Sequence, residues 1–263
     1  MIRRLALTVA AAALCGAVAC ASRLPPLPSN AGTPFAEFSS AYAQATEDCR
    51  GVRTMAAVLE ISGRAAGSRF PRAKIDAGFQ APGKVVLELP APGRPFFTFA
   101  VNGSTATLLL PRDGRVLKDA PPADTLEALA GVSLAPDDLR QIVAGCGFGG
   151  EPAAGRSLNE QWTAVDTAGG VGYLQQVAGR WRLTAATRGA LEVRYADFAD
   201  GRPTTIRLRS NTPDRDRATD LTIRTSQVDI NEAIAASAFE PEIPAGAKPM
   251  TLDELRRAGP LGR

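Results

Sequence analysis

Residues 84–118 read KVVLELPAPGRPFFTFAVNGSTATLLLPRDGRVLK, four short apolar runs separated by turn residues. Asn102-Gly103 and Asp113-Gly114 each stand between such runs. Asn-Gly and Asp-Gly are the strongest local hairpin signals, because the favoured two-residue turn needs positive φ at both central positions. Pro90-Ala91-Pro92-Gly93 separates the first two runs. No helical period intervenes, so 84–89, 96–101, 105–110 and 115–118 are expected as strands of an antiparallel meander.

The same reading extends in both directions. Upstream, 58–66 and 74–79 alternate apolar and polar residues, and 35–48 carries Phe35, Phe38, Tyr42 and Ala45 on one helical face. Downstream, 121–144 breaks the alternation. Two short helices are expected at 124–130 and 136–143, the second with Pro136 at its first position and Asp137 and Asp138 at its positive end. Leu126, Leu129, Leu134, Leu139, Ile142 and Val143 give this insert an apolar face. After glycine-rich 145–150, strands resume at 161–165, 171–177, 181–187, 191–198, 204–210 and 221–230. Residues 151–159 read as loop, Asn231 as the cap of a short helix over 232–237, and the Pro-rich stretch 241–249 as its end. The expected fold is mainly β with a helical insert: about 11–12 antiparallel strands in a single domain over 35–248, with a tail at 249–263.

Composition removes several functions. The 263 residues include no histidine, which excludes Ser-His-Asp and Cys-His catalysis and any metal site that needs an imidazole. Thirty Lys and Arg stand against 27 Asp and Glu, too even a balance to predict nucleic-acid binding from charge. Glycine-rich 145–150 lacks the Lys-Ser or Lys-Thr of a phosphate loop, and no nucleophile elbow is present. No cofactor, metal, nucleic acid or enzymatic reaction is expected.

Residues 1–19 read as an export signal, with Arg3 and Arg4 before an uncharged apolar run over 5–18. The run is too short to span a bilayer as a lasting anchor. It ends in Ala17-Val18-Ala19-Cys20, which resembles a bacterial lipobox in which Cys20 is acylated and becomes the first mature residue. Ala17 stands where such motifs usually carry leucine, and ordinary cleavage before Cys20 or Ser22 is the alternative. On the lipoprotein reading, 20–34 is a flexible tether, and by the same resemblance Ala21 and Ser22 direct the protein to the periplasmic face of the outer membrane. Cys49 and Cys146 then remain. In an oxidising compartment a pair of cysteines usually forms one disulfide, with two separate buried thiols as the alternative.

Three stretches carry a family resemblance: LEISGR at 59–64, VSLAPDDL at 132–139 followed by Gly145, and VDIN at 228–231 followed by Phe239 and Pro244. In this order, with the helical insert between two strand series, the chain resembles the periplasmic lipoprotein-carrier superfamily, the LolA/LolB-like fold, over about 35–248. The resemblance implies a strongly curved antiparallel sheet, an incomplete β-barrel wrapped around short helices. It also implies an apolar cavity for a lipid or lipoprotein acyl chain, and a place in lipoprotein localisation. Leu59, Ile61, Phe79, Leu87, Phe97, Phe99, Leu134, Leu139, Trp181 and Tyr195 are the candidate lining. Ordinary core packing produces the same alternation, so a pocket and a core are both open. Arg64 occupies the place of a basic latch to the helical lid, or is a solvated arginine. The outer-membrane branch carries an exposed bulky apolar residue on an early loop, and 90–94 offers none here.

Two functional readings follow. In one, a lipid-anchored protein holds acyl chains or lipoproteins by burial, at about 0.8 kcal/mol per methylene. In the other, the core is collapsed and the protein is a non-catalytic scaffold for an envelope protein partner. Arg207, Arg209, Arg215, Arg217 and Arg224 form a basic cluster that alternation on a wet strand face also explains, diluted by Asp214, Asp216 and Asp220.

Overall fold

The computed structural model describes residues 26–66, 68–210, 212 and 218–258. The export signal, Cys20, Arg215 and Arg217 lie outside these residues. The chain begins with β1 (Thr33–Pro34), α1 (Phe38–Ala45) and α2 (Glu47–Arg50). Six strands follow: β2 (Thr54–Ala65), β3 (Ser68–Gln80), β4 (Lys84–Leu89), β5 (Phe97–Asn102), β6 (Thr105–Leu110) and β7 (Arg115–Ala120). Helices α3 (Pro122–Ala130) and α4 (Pro136–Ala144) come next. The second series is β8 (Pro152–Ser157), β9 (Thr163–Thr167), β10 (Gly170–Val177), β11 (Arg180–Arg188), β12 (Leu191–Ala199), β13 (Arg202–Ser210) and β14 (Asp220–Ile230). A 3₁₀ turn at Ala236–Phe239, then β15 (Lys248–Pro249) and α5 (Leu252–Ala258), complete the order.

The expectation of a strongly curved, incomplete antiparallel barrel of 11–12 strands is corrected here. Fifteen strands form one open, mixed sheet that is neither closed into a barrel nor strongly curled. Its order is β1-β8-β9-β10-β11-β12-β13-β14-β2-β3-β4-β5-β6-β7-β15. The two outermost strands explain the open ends. Each is two residues long and carries a proline, Pro34 or Pro249, which has no N–H with which to continue a ladder. Moreover, β15 runs parallel to β7, unlike every other pair.

Alternation along the central strands places one apolar row after another on the same face. Phe79 pairs with Val85, Val85 with Val101 and Val101 with Ala106. One step along, Ala77 pairs with Leu87, Leu87 with Phe99, Phe99 with Leu108 and Leu108 with Leu117. These rows, with Leu87 packed against them, Tyr42 of α1, Leu126 and Leu129 of α3, and Ile142 and Val143 of α4 form one cluster. Helix α4 is held at three points. The Gly83 N–H donates to Asp137 Oδ2 at 3.2 Å, and Arg140 donates to the Val52 carbonyl at 2.6 Å. Arg188 grips Asp138 with two bonds of 2.9 and 2.6 Å while stacking over Phe148.

Three segments differ from their sequence reading. β8 forms where loop is expected; it has no apolar alternation, and β9 and α1 hold it from either side, α1 approaching so closely at Gly155 that a Cβ there would overlap Phe38. β3 begins at Ser68 rather than 74, because Pro71 falls where the register with β2 shifts and no ladder bond is asked of it. No α-helix forms at 232–237. Asn231 adopts a φ of +61°, and its side chain accepts from Arg53 N–H at 2.8 Å and donates to the Gly51 carbonyl at 3.1 Å. A carboxamide engaged there cannot cap a following helix. The chain instead continues as a strap over the outer face of β4 and β5, where Phe239 is buried beneath Lys84 and Glu240 accepts from Asn102 at 2.7 Å.

Candidate functional groove

The sheet has a helix-covered face and an outer face, and the ten candidate lining residues go to the first. Leu59, Phe79, Phe97, Phe99, Leu134 and Tyr195 are buried in the main cluster, and Ile61, Leu87, Leu139 and Trp181 pack against it. Around them side chains touch side chains. A void between Tyr42, Cys146, Phe148 and Leu183 amounts to about 10 Å³, room for at most one water. Beside it, Cys49 and Cys146 form a disulfide with Cα atoms 5.6 Å apart, tying α2 to the glycine-rich loop. The Tyr195 hydroxyl donates to the Ile142 carbonyl and accepts from the Gly147 N–H, both at 3.0 Å. Burial pushes its phenol well above the ordinary value. Arg64 stands exposed on β2, in register between Asp220 of β14 and Arg69 of β3.

A groove of about 860 Å³ lies on the opposite face, between the sheet and the strap. Its floor is made of outward residues of β2 to β6: Ala56, Val58, Gly78, Val86, Thr98 and Leu109. Gly78 keeps the floor low. A Cβ there would come within 2.8 Å of Val86 Cγ1 and touch Ile234 of the strap. Ile234, Ala238, Pro241 and Pro244 form the apolar far wall, and Arg94 and Pro95 form the near one. Four carboxylates, Asp76, Glu88, Asp229 and Glu242, also line it. Sequence reading missed this groove. Its one available signal was small residues, Ala56 and Gly78, at outward positions of long strands, followed by a Pro-rich segment too extended to be helix.

Four arginines of the outer face have carboxylate partners. Arg207 grips Asp220 through bonds of 2.7 and 2.6 Å, with Arg209 3.7 Å from the same carboxylate. Arg72 and Arg224 share Glu60. Near the groove, Phe96 is 47% exposed under the Arg112 guanidinium, 3.7 Å from the ring centroid. It lies just beyond the early loop at 90–94, in a position the sequence assigns to a strand. Among the described residues, no three Cys, Asp or Glu side chains are placed to hold a metal ion.

No family model and no curated protein matches the sequence. Several solved structures are similar to it over much of their length. A LolA superfamily protein from Nitrosomonas europaea superposes with a TM-score of 0.47 at 11% identity, covering 74% of this chain and 94% of that one. An outer membrane lipoprotein-sorting protein domain from Vibrio parahaemolyticus gives 0.47 at 11% identity, covering 77% and 97%. The lipoprotein LppX from Mycobacterium tuberculosis gives 0.33 at 10% identity, covering 75% and 97%. With every TM-score below 0.5 and identities of 10–11%, these likenesses give this chain neither a family nor a residue role.

Proposed function

We propose that this protein is a lipid-anchored envelope protein of the periplasmic face of the outer membrane. It binds an apolar chain, either an acyl chain or an apolar segment of a lipoprotein, without doing chemistry on it. The outer-face groove carries this reading. Its volume lies in the range of ligand sites, and its floor and far wall are mainly apolar. The packed helix side supports placing the ligand here rather than among Leu59, Phe99 and their neighbours. Cys20 is the anchor, and the Cys49–Cys146 bond suits an oxidising compartment.

A photoreactive palmitate analogue, added to membranes carrying the full chain, tests the proposal. Cross-links are expected on β3, β4 and the strap, and Val86→Trp, which fills the groove floor, should reduce them at least about fivefold. Labelling confined to the helix-covered core, or unchanged by Val86→Trp, would overturn it. The tight helix side favours a second reading, a scaffold. A stable envelope protein partner captured by the full chain, with no groove labelling, is its expected signature.

A further inference from the structure

We infer that the occupant of the groove is cationic: an extended segment of a partner protein in which apolar residues alternate with Lys or Arg. This rests on the groove being the binding site and names the class of ligand it takes. Four carboxylates line the groove against one guanidinium, Arg94, a net charge of −3. Two of them, Asp76 and Glu88, are directly opposite each other on β3 and β4. Like charges in that cross-strand position destabilise a sheet unless something answers them. Among the described residues Glu88 receives only the Thr98 hydroxyl, at 3.0 Å. Asp76, Asp229 and Glu242 form no ion pair among the described residues, whereas Asp220 and Glu60 on the same outer face are each shared by two arginines.

An acyl chain can lie on the apolar floor only with its carboxylate or phosphate head held outside this lining, whose four carboxylates would repel it. A metal ion would find no three ligands together among the described residues. Carboxylates distributed along an apolar floor instead match several cations spaced along a chain, with the intervening apolar side chains seated on Val58, Val86 and Leu109. Glu242 reaches the ligand from the strap while Asp76, Glu88 and Asp229 reach it from the sheet, so an extended segment meets negative charge on both sides.

The test uses the full chain in phosphatidylcholine nanodiscs, with empty discs as the blank. The probes are three labelled, end-blocked hexapeptides: Val-Lys-Ala-Arg-Val-Lys, its acidic twin Val-Glu-Ala-Glu-Val-Glu, and a neutral twin with serine in place of each charge. The basic peptide should bind at least about tenfold tighter than either twin, and its binding should weaken as salt rises from 0.05 to 0.5 M, as exposed charges are screened. The Asp76→Asn, Asp229→Asn, Glu242→Gln triple variant should lose about tenfold in affinity and most of the salt dependence. Val86→Trp, which keeps every charge, should abolish binding. Equal binding of the three peptides, or an unaffected triple variant, overturns the inference. So does basic-peptide binding that survives Val86→Trp, since that is charge attraction without the groove. If palmitate labels the groove while the peptides show no charge preference, the binding site stands and the cationic occupant falls. If neither palmitate nor any peptide occupies the groove, both fall.

Discussion

Tyr195 reaches from β12 into the loop after α4, and its hydroxyl is bonded on both sides, to Ile142 and Gly147. Both backbone partners are buried with it. Tyr195→Phe should therefore cost about 1–3 kcal/mol, read as a lower urea midpoint at unchanged slope. The burial that raises the folded phenol's pKa also gives the variant a second signature. Above about pH 10 the unfolded phenol has lost its proton while the folded one keeps it, so wild-type stability falls as pH rises. The contribution is fully present below that pH. The variant should lack this alkaline slope, and identical slopes in the two proteins would place the bonds elsewhere.

At the scale of elements, the disulfide and the hairpins show what local sequence can specify. The Cys49–Cys146 bridge closes a loop of 97 residues, and the chain-entropy model assigns a loop of that length about 4–5 kcal/mol. Replacing both cysteines by serine should lower the unfolding free energy by about 2–5 kcal/mol and abolish the response of the melting temperature to reductant. The turns at Asn102-Gly103 and Asp113-Gly114 lie between strands as their dipeptides indicate, with Gly103 and Gly114 at positive φ. Helix α4 was equally legible, because Pro136 and Asp138 mark its start within four residues of each other. β8 was not, since PAAGRS has no period of its own and owes its conformation to β9 and Phe38. The strap was misread because Asn231, a good helix cap in isolation, finds better partners at 51–53, about 180 residues away in sequence. The groove was invisible for a related reason. It is bounded by a sheet face and by a strap whose course depends on that long-range bond.

At the scale of the molecule, the open sheet is finished at its C-terminal side by a short tail with two tasks. Lys248 and Pro249 cover part of β7, and Met250 and Leu255 insert into the main cluster. Truncation after Ala247 should therefore destabilise the fold by about 3 kcal/mol or more and promote association through the uncovered edge. Denaturation combined with size-exclusion light scattering at two concentrations checks both effects, and a stable monomer would contradict them. At the other edge, the first described strand pairs with β8 through only Thr33 and Pro34. From there to β14, where Gln227 and Asp229 open the groove, the order of strands counts seven inter-strand steps. At about 4.8 Å each they amount to about 34 Å of sheet. Tension applied at the N-terminal end would peel a two-residue strand first, while the groove remains mechanically remote from the point of pull.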